Sequence, residues 1–135
     1  MLLIVLRLVF SSVRKKLAQQ VVQRFDKNEI VRATLHANSF GERSKGGRQI
    51  RGNGALVVTK DAICFLRAAP FKEYTIPVTK ITDISMPRSF NGKSVFAKLF
   101  CIEYETDNGT DAMAWALKDL ESWKLTLEEV MSDSQ

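Results

Sequence analysis

The sequence predicts a mainly β fold with helices: seven short antiparallel strands in a sandwich or partly open barrel, capped by a C-terminal α-helix and preceded by an N-terminal amphipathic helix. Three observations carry this. The stretch Gly52–Met86 reads as short alternating runs joined by tight turns, with almost no polar chemistry inside it. Asn108-Gly109 stands between two further alternating runs, and Asn-Gly there signals a tight hairpin. Near both chain ends, apolar residues instead recur at spacings of three and four, the helical period.

The first ten residues, MLLIVLRLVF, are apolar except for Arg7. They are too few to cross a bilayer, which takes about 20 apolar residues. They also make a poor secretory signal, because no positive region precedes them, Arg7 interrupts them and no small-x-small site follows. Leu6, Phe10, Val13, Leu17 and Val21 then form one stripe, with Arg14, Lys15, Lys16 and several glutamines mostly on other faces. A helix from about Leu3 to Arg24 would be roughly 33 Å long at 1.5 Å per residue.

Two readings of this helix compete. Its stripe packs on the domain or on a second subunit, or it lies in a membrane interface. In the second, the apolar end inserts and Arg14-Lys15-Lys16 meet anionic headgroups, each base contributing about 1 kcal/mol. The residues expected to make the membrane or oligomer contact are Leu2, Leu3, Leu6, Phe10, Val13, Arg14, Lys15, Lys16 and Leu17. Ten residues this apolar exceed what a surface helix of a monomer needs, so a homo-oligomer through this helix is one expectation.

From Glu29 the period changes to two. Ile30–Ala37 reads as the first strand, and the polar, glycine-rich Ser39–Asn53 as a loop or a ragged hairpin end. Strands follow at Ala55–Thr59, Ala62–Arg67, Glu73–Ile76 and Lys80–Met86, broken by Lys60-Asp61, Ala68–Phe71, Pro77 and Pro87. Arg88–Ser94 is a loop with Asn91-Gly92 as its turn. Lys98–Thr106 and Thr110–Leu117 make the last two strands. Leu56, Val58, Ile63 and Phe65 share one face, as do Phe100, Ile102 and Tyr104, and Met113, Trp115 and Leu117. From Asp119, a plausible N-cap, the chain turns helical with Leu120, Trp123, Leu127 and Val130 on one face. Two sheets with one apolar face each make a sandwich or open barrel, and the Trp123 helix plugs an open end.

At 45% hydrophobic and 26% charged, the chain has the composition of an ordinary globular domain. Its charge is asymmetric: residues 1–52 carry eleven Lys/Arg against three Asp/Glu, a net of +8, and the rest a net of −3. Such a dipole favours an anionic surface on one side, phospholipid or nucleic acid. Cys64 and Cys101 both lie in apolar runs and read as buried free thiols in a reducing compartment.

Little here suggests a reaction. A single histidine, His36, leaves no nucleophilic or metal-ligand grouping to propose, and it reads as a surface or satisfied strand residue. The carboxylates Glu103, Glu105, Asp107 and Asp111 cluster at the Asn108-Gly109 hairpin, but match no calcium loop and read as a solvated hairpin end. The chain is expected not to be an enzyme, with no cofactor, no metal and no small-molecule substrate. Aromatics are not interleaved with the basic residues, so no single-strand stacking platform appears and no nucleic acid is expected as a partner.

Gly54, Leu56, Thr59, Ile63 and Phe65, in the pattern G-x-L-x-x-T-x-x-x-I-x-F, are followed by Ile76-Pro77-Val78 and Ile81-x-x-Ile84. Together with the Trp123 helix this resembles the pleckstrin-homology (PH)-like superfamily, above all GRAM and bacterial PH domains. The resemblance divides the chain into an N-terminal amphipathic helix at 1–28, a PH-like domain at 29–131 and a tail at 132–135. It implies a non-catalytic module that binds phosphoinositides or other lipids, peptides or copies of itself. It also implies that cations on the loop before the second strand (Arg43, Lys45, Arg48 and Arg51), and on the loop after the third (Arg67 and Lys72), would receive an anion or phosphate. The first loop departs from the phosphoinositide pattern, since it is glycine-rich and Arg51 runs into Gly52.

The leading expectation is therefore membrane-surface (anionic lipid) association or self-assembly. One alternative is a protein–protein interaction or oligomerisation domain with no lipid ligand; another is non-specific nucleic-acid binding. The expected location is cytoplasmic, with the inner face of the plasma membrane as the surface to meet.

Overall fold

A computed structural model describes residues 14–47, 52–94 and 97–134. An N-terminal helix, α1, occupies 14–24. The strands are β1 (Ile30–Glu42), β2 (Gly52–Thr59), β3 (Ala62–Arg67), β4 (Lys72–Pro77), β5 (Ile81–Ser85), β6 (Ser89–Phe90), β7 (Lys93–Ser94), β8 (Phe100–Thr106) and β9 (Gly109–Ala116), followed by helix α2 (Leu120–Asp133). Single 3-10 turns stand at Arg43–Lys45 and Val78–Lys80.

Seven strands make one antiparallel sheet in the order β4-β3-β2-β1-β9-β8-β5, and β6-β7 is a separate small hairpin. The expected pair of sheets is thus one hydrogen-bonded sheet. The reason is β1, which is five residues longer than its alternating segment suggested. Its first part pairs with β2, from Ile30↔Thr59 to Ser39↔Gly52, and its last part pairs with β9, from Asn38↔Ala116 to Glu42↔Met113. Ser39–Glu42 looked like loop because Ser39 and Gly41 are turn-forming residues. Here the Ser39 hydroxyl accepts the Gly41 N–H at 3.0 Å, and Gly41 takes φ +86° within an irregularity of the β1–β9 register.

The sheet bends over one face. Phe65 on β3 and Trp115 on β9 have ring centroids 6.0 Å apart. Their strands lie three places apart in the sheet, about 14 Å if it were flat, so the rings meet only because it curls. Tyr74, Phe65, Trp115 and Phe100 form a chain of tilted rings through this interior at 6.1, 6.0 and 6.4 Å. Around them pack Leu56, Val58, Ile63, Ile102, Tyr104 and Met113, the alternate residues expected to face inward. Trp123, Leu127 and Val130 of α2 cover this core. Asp119 does precede α2, but in a left-handed conformation (φ 59°, ψ 47°) and without a capping side-chain bond.

The outer face is covered in two pieces. Leu17, Val21 and Phe25 are buried against Ala55, Val57, Cys64 and Leu66. Burying each of these three contributes roughly 1.5–3 kcal/mol. The exposed Arg24–Glu73 pair, at 3.0 Å, adds at most about 1 kcal/mol. Leu17, named among the residues for a membrane or oligomer contact, packs on its own domain, the other place open to this stripe, because β2 and β3 offer an apolar outer face there. Arg14, Lys15 and Lys16 are exposed. Leu2, Leu3, Leu6, Phe10 and Val13 lie outside the described residues. The second piece is a cluster of Phe40, Phe90, Leu99, Cys101, Ala112 and Ala114 beneath the β6–β7 hairpin. That hairpin turns at Asn91 (φ 52°) and Gly92 (φ 77°), as its Asn-Gly pair predicts. At the β8–β9 turn only Gly109 has positive φ (106°), and the Thr106 hydroxyl holds the turn by donating to the Gly109 carbonyl at 2.7 Å.

Both cysteines are buried and free. No described helix is long and apolar enough to cross a membrane.

Candidate functional site

The cations expected to act together fall into two groups. Arg67 and Lys72 are direct cross-strand partners at the ends of β3 and β4, and Arg67 also pairs with Gly54 of β2. The turn between them carries Phe71, which is 52% exposed. Arg67 Nε donates to the Pro70 carbonyl at 3.0 Å, which folds the side chain over the turn. Gly52 leaves the room for this, since a Cβ there would stand 2.8 Å from Arg67 Cδ. The Lys72 ammonium lies 4.9 Å from the Tyr74 ring centroid, and Lys72 is exposed. Ser39↔Gly52 closes the β1–β2 pairing, so the β1–β2 connection leaves the strands at the same end as this turn.

Arg43 and Lys45 begin that connection, in a segment pinned to the other half of the sheet. Ser44 donates to Asp111 through its backbone N–H at 2.9 Å and its hydroxyl at 2.7 Å. Arg43 Nη1 donates to Glu103 Oε1 at 2.9 Å, and its guanidinium lies 5.7 Å from the Phe90 ring centroid. The Asn91 side-chain amide donates to the Glu42 and Gly46 carbonyls at 3.0 and 3.3 Å. Much of Arg43's charge is therefore met within the chain. Lys45 is exposed and forms no ion pair with a described residue. Arg48 and Arg51 lie outside the described residues.

Asp111 corrects the reading of the acidic hairpin end. It is only 7% exposed. Burial alone would raise its pKa, but the Ser44 hydroxyl and amide, the Ala112 amide and the Arg43 charge outweigh burial and hold the carboxyl below its ordinary value. It is a structural anchor, not a solvated acid. Burial, with the Asp111 charge behind it, pushes the neighbouring Tyr104 phenol well above its usual range. Glu105 and Asp107 are exposed, as expected. Among the described residues no group of three or more His, Cys, Asp or Glu side chains is placed to hold a metal ion.

Sequence reasoning missed Phe71, which it treated only as part of a strand break. The available signal was an aromatic after Pro70 in a turn flanked by Arg67 and Lys72.

The class the geometry defines is a β-rich domain of one seven-stranded antiparallel sheet with a C-terminal helix across its inner face. Against known proteins, no family model and no curated protein matches the chain. Among solved structures it is similar to the C-terminal domain of an unknown protein from Leishmania infantum, with a TM-score of 0.54 and 15% identity over 93% of this chain and 97% of that one. At that identity the likeness shows the fold alone.

Proposed function

We propose that this chain is a non-catalytic binding module of the PH-like type, nearest GRAM and bacterial PH domains, that docks on anionic membrane surfaces. The strand order, the long β1 shared by both halves of the sheet and the Trp123 helix over the core are in keeping with that assignment.

The observation that carries the membrane reading is Phe71: a half-exposed aromatic at a turn tip, flanked by Arg67 and Lys72. A ring in that position enters the headgroup boundary while the flanking cations face phosphate. The cluster under α1 reaches Ala68 of the same turn, and Arg14, Lys15 and Lys16 stand exposed at the start of the described helix. Arg67 and Lys72 give that turn two cations beside an apolar point.

Co-sedimentation of the full chain with vesicles tests this. Binding to phosphatidylserine vesicles at low salt is expected, weakening as salt rises and absent with neutral phosphatidylcholine. Protein that stays in the supernatant with phosphatidylserine at low salt sinks the reading. If it is then a defined oligomer by light scattering, the self-assembly alternative replaces it.

A further inference from the structure

A cleft of about 380 Å³ opens on the core side of β1, where β1 and β9 part company. Their pairing ends at Asn38↔Ala116. Before that point β1 pairs only with β2, while the chain after β9 turns away through Leu117 and Lys118 into α2. Arg32, Thr34 and His36 line one wall, and Lys118, Asp119 and Trp123 the other.

Arg32 is held in a fixed pose. Its guanidinium lies 4.7 Å from the Trp123 ring centroid, and Nη1 donates to the Ser122 hydroxyl. Stacking and that bond orient the plane of the fork, so less side-chain freedom is lost on binding. Neither Arg32 nor Lys118 forms an ion pair among the described residues, although Asp119 lines the same cleft. The Thr34 hydroxyl accepts the His36 N–H at 3.2 Å, which leaves its own O–H able to donate. Asp119 precedes α2 in a left-handed conformation and makes no capping side-chain bond.

We propose that this cleft binds a phosphate-sized oxyanion. Arg32, Lys118 and Thr34 line the cleft with a guanidinium fork, an ammonium and a hydroxyl that can each donate to a tetrahedral anion, and the two cations outweigh the single Asp119 carboxylate. The site is separate from Arg67, Lys72 and Phe71, and stands or falls independently of membrane docking there.

The test is a titration of the full chain with sodium phosphate at constant ionic strength, followed by amide NMR shifts. Saturable shifts confined to residues around Arg32, Thr34, Lys118 and Leu120 are expected. Lys118→Glu, at an exposed residue with no ion pair to lose, should weaken binding about tenfold or more with the fold unchanged by circular dichroism. Lys45→Gln, on the β1–β2 connection, should leave it unchanged. Arg32→Gln is a second variant expected to weaken binding. Linear shifts, shifts centred on Lys45, Arg67 and Lys72, or undiminished binding by Lys118→Glu would overturn the proposal. Phosphatidic acid vesicles identify the source: protection of the same amides means a lipid phosphate, and its absence alongside saturable phosphate binding means a soluble one.

Discussion

Ser44 holds Asp111 with both of its donors, the backbone N–H on one carboxylate oxygen and the hydroxyl on the other, across 67 residues of sequence. This contact fastens the start of the β1–β2 connection to β9. It also dictates a pH dependence. The folded carboxyl sits below its ordinary pKa, so its stabilisation is fully present above about pH 3.9 and is lost as pH falls through the lower folded value. Asp111→Asn should cost about 1–3 kcal/mol at neutral pH. Urea melts should also show the variant losing less stability than the parent between about pH 5 and pH 2. An equal loss in both would remove Asp111 from the acid transition.

The two thiols report on different parts of the outer face. Burial pushes both above the ordinary thiol value, so native protein should alkylate slowly at Cys64 and Cys101 alike. Cys64 lies in the cluster under α1 and Cys101 in the cluster under Phe90. Leu17 is buried, so Leu17→Ala should cost about 2–5 kcal/mol and loosen α1 locally. Mass spectrometry should then show Cys64 labelling on the order of tenfold faster with Cys101 unchanged. Equal acceleration of both would mean that α1 comes away only with the whole domain.

Two glycines of β2 should answer differently to the same substitution. A Cβ at Gly54 would meet the Leu66 carbonyl oxygen at 2.2 Å, a backbone atom fixed by the β2–β3 pairing. Gly54→Ala should cost about 1–3 kcal/mol or more. A Cβ at Gly52 would meet only the Arg67 side chain, which can swing aside, so Gly52→Ala should cost under about 1 kcal/mol. Thermal melts of the two variants check the order.

Phe71→Ser separates docking from folding. The ring is half exposed, so the melting temperature should barely move, with stability within about 0.5 kcal/mol of the parent. Partition onto phosphatidylserine vesicles should fall by about tenfold or more, the order expected for losing one inserted aromatic. Unchanged partition would take Phe71 out of the docking surface.

Most strands were legible because an alternating sequence identifies its own faces. Leu56, Val58, Ile63 and Phe65 lie on the inner face, and Phe100, Ile102, Met113 and Trp115 join them across the bend. The end of β1 was not legible. Ser39 and Gly41 have the local chemistry of a loop, and the segment is strand because β2 pairs at Ser39 and β9 pairs at Ser39 and Glu42. The candidate site was legible as a set of cations but not as an arrangement. Nothing local in the sequence says that Glu103 takes up Arg43 while Phe71 stands out beside Lys72.

What the sequence determined by itself is short-range: a period of two or of 3.6 settles which side chains share a face, and Asn-Gly settles a turn, because both follow from backbone geometry within a few residues. What only the tertiary structure decided is which distant segment each face meets. It made two expected sheets into one through a strand with two partners, turned Leu17 inward onto the domain, and buried Asp111 under Ser44. Those outcomes depend on pairings between segments far apart in the chain. Such pairings are selected by total burial and hydrogen-bond satisfaction across the fold, which no local pattern encodes.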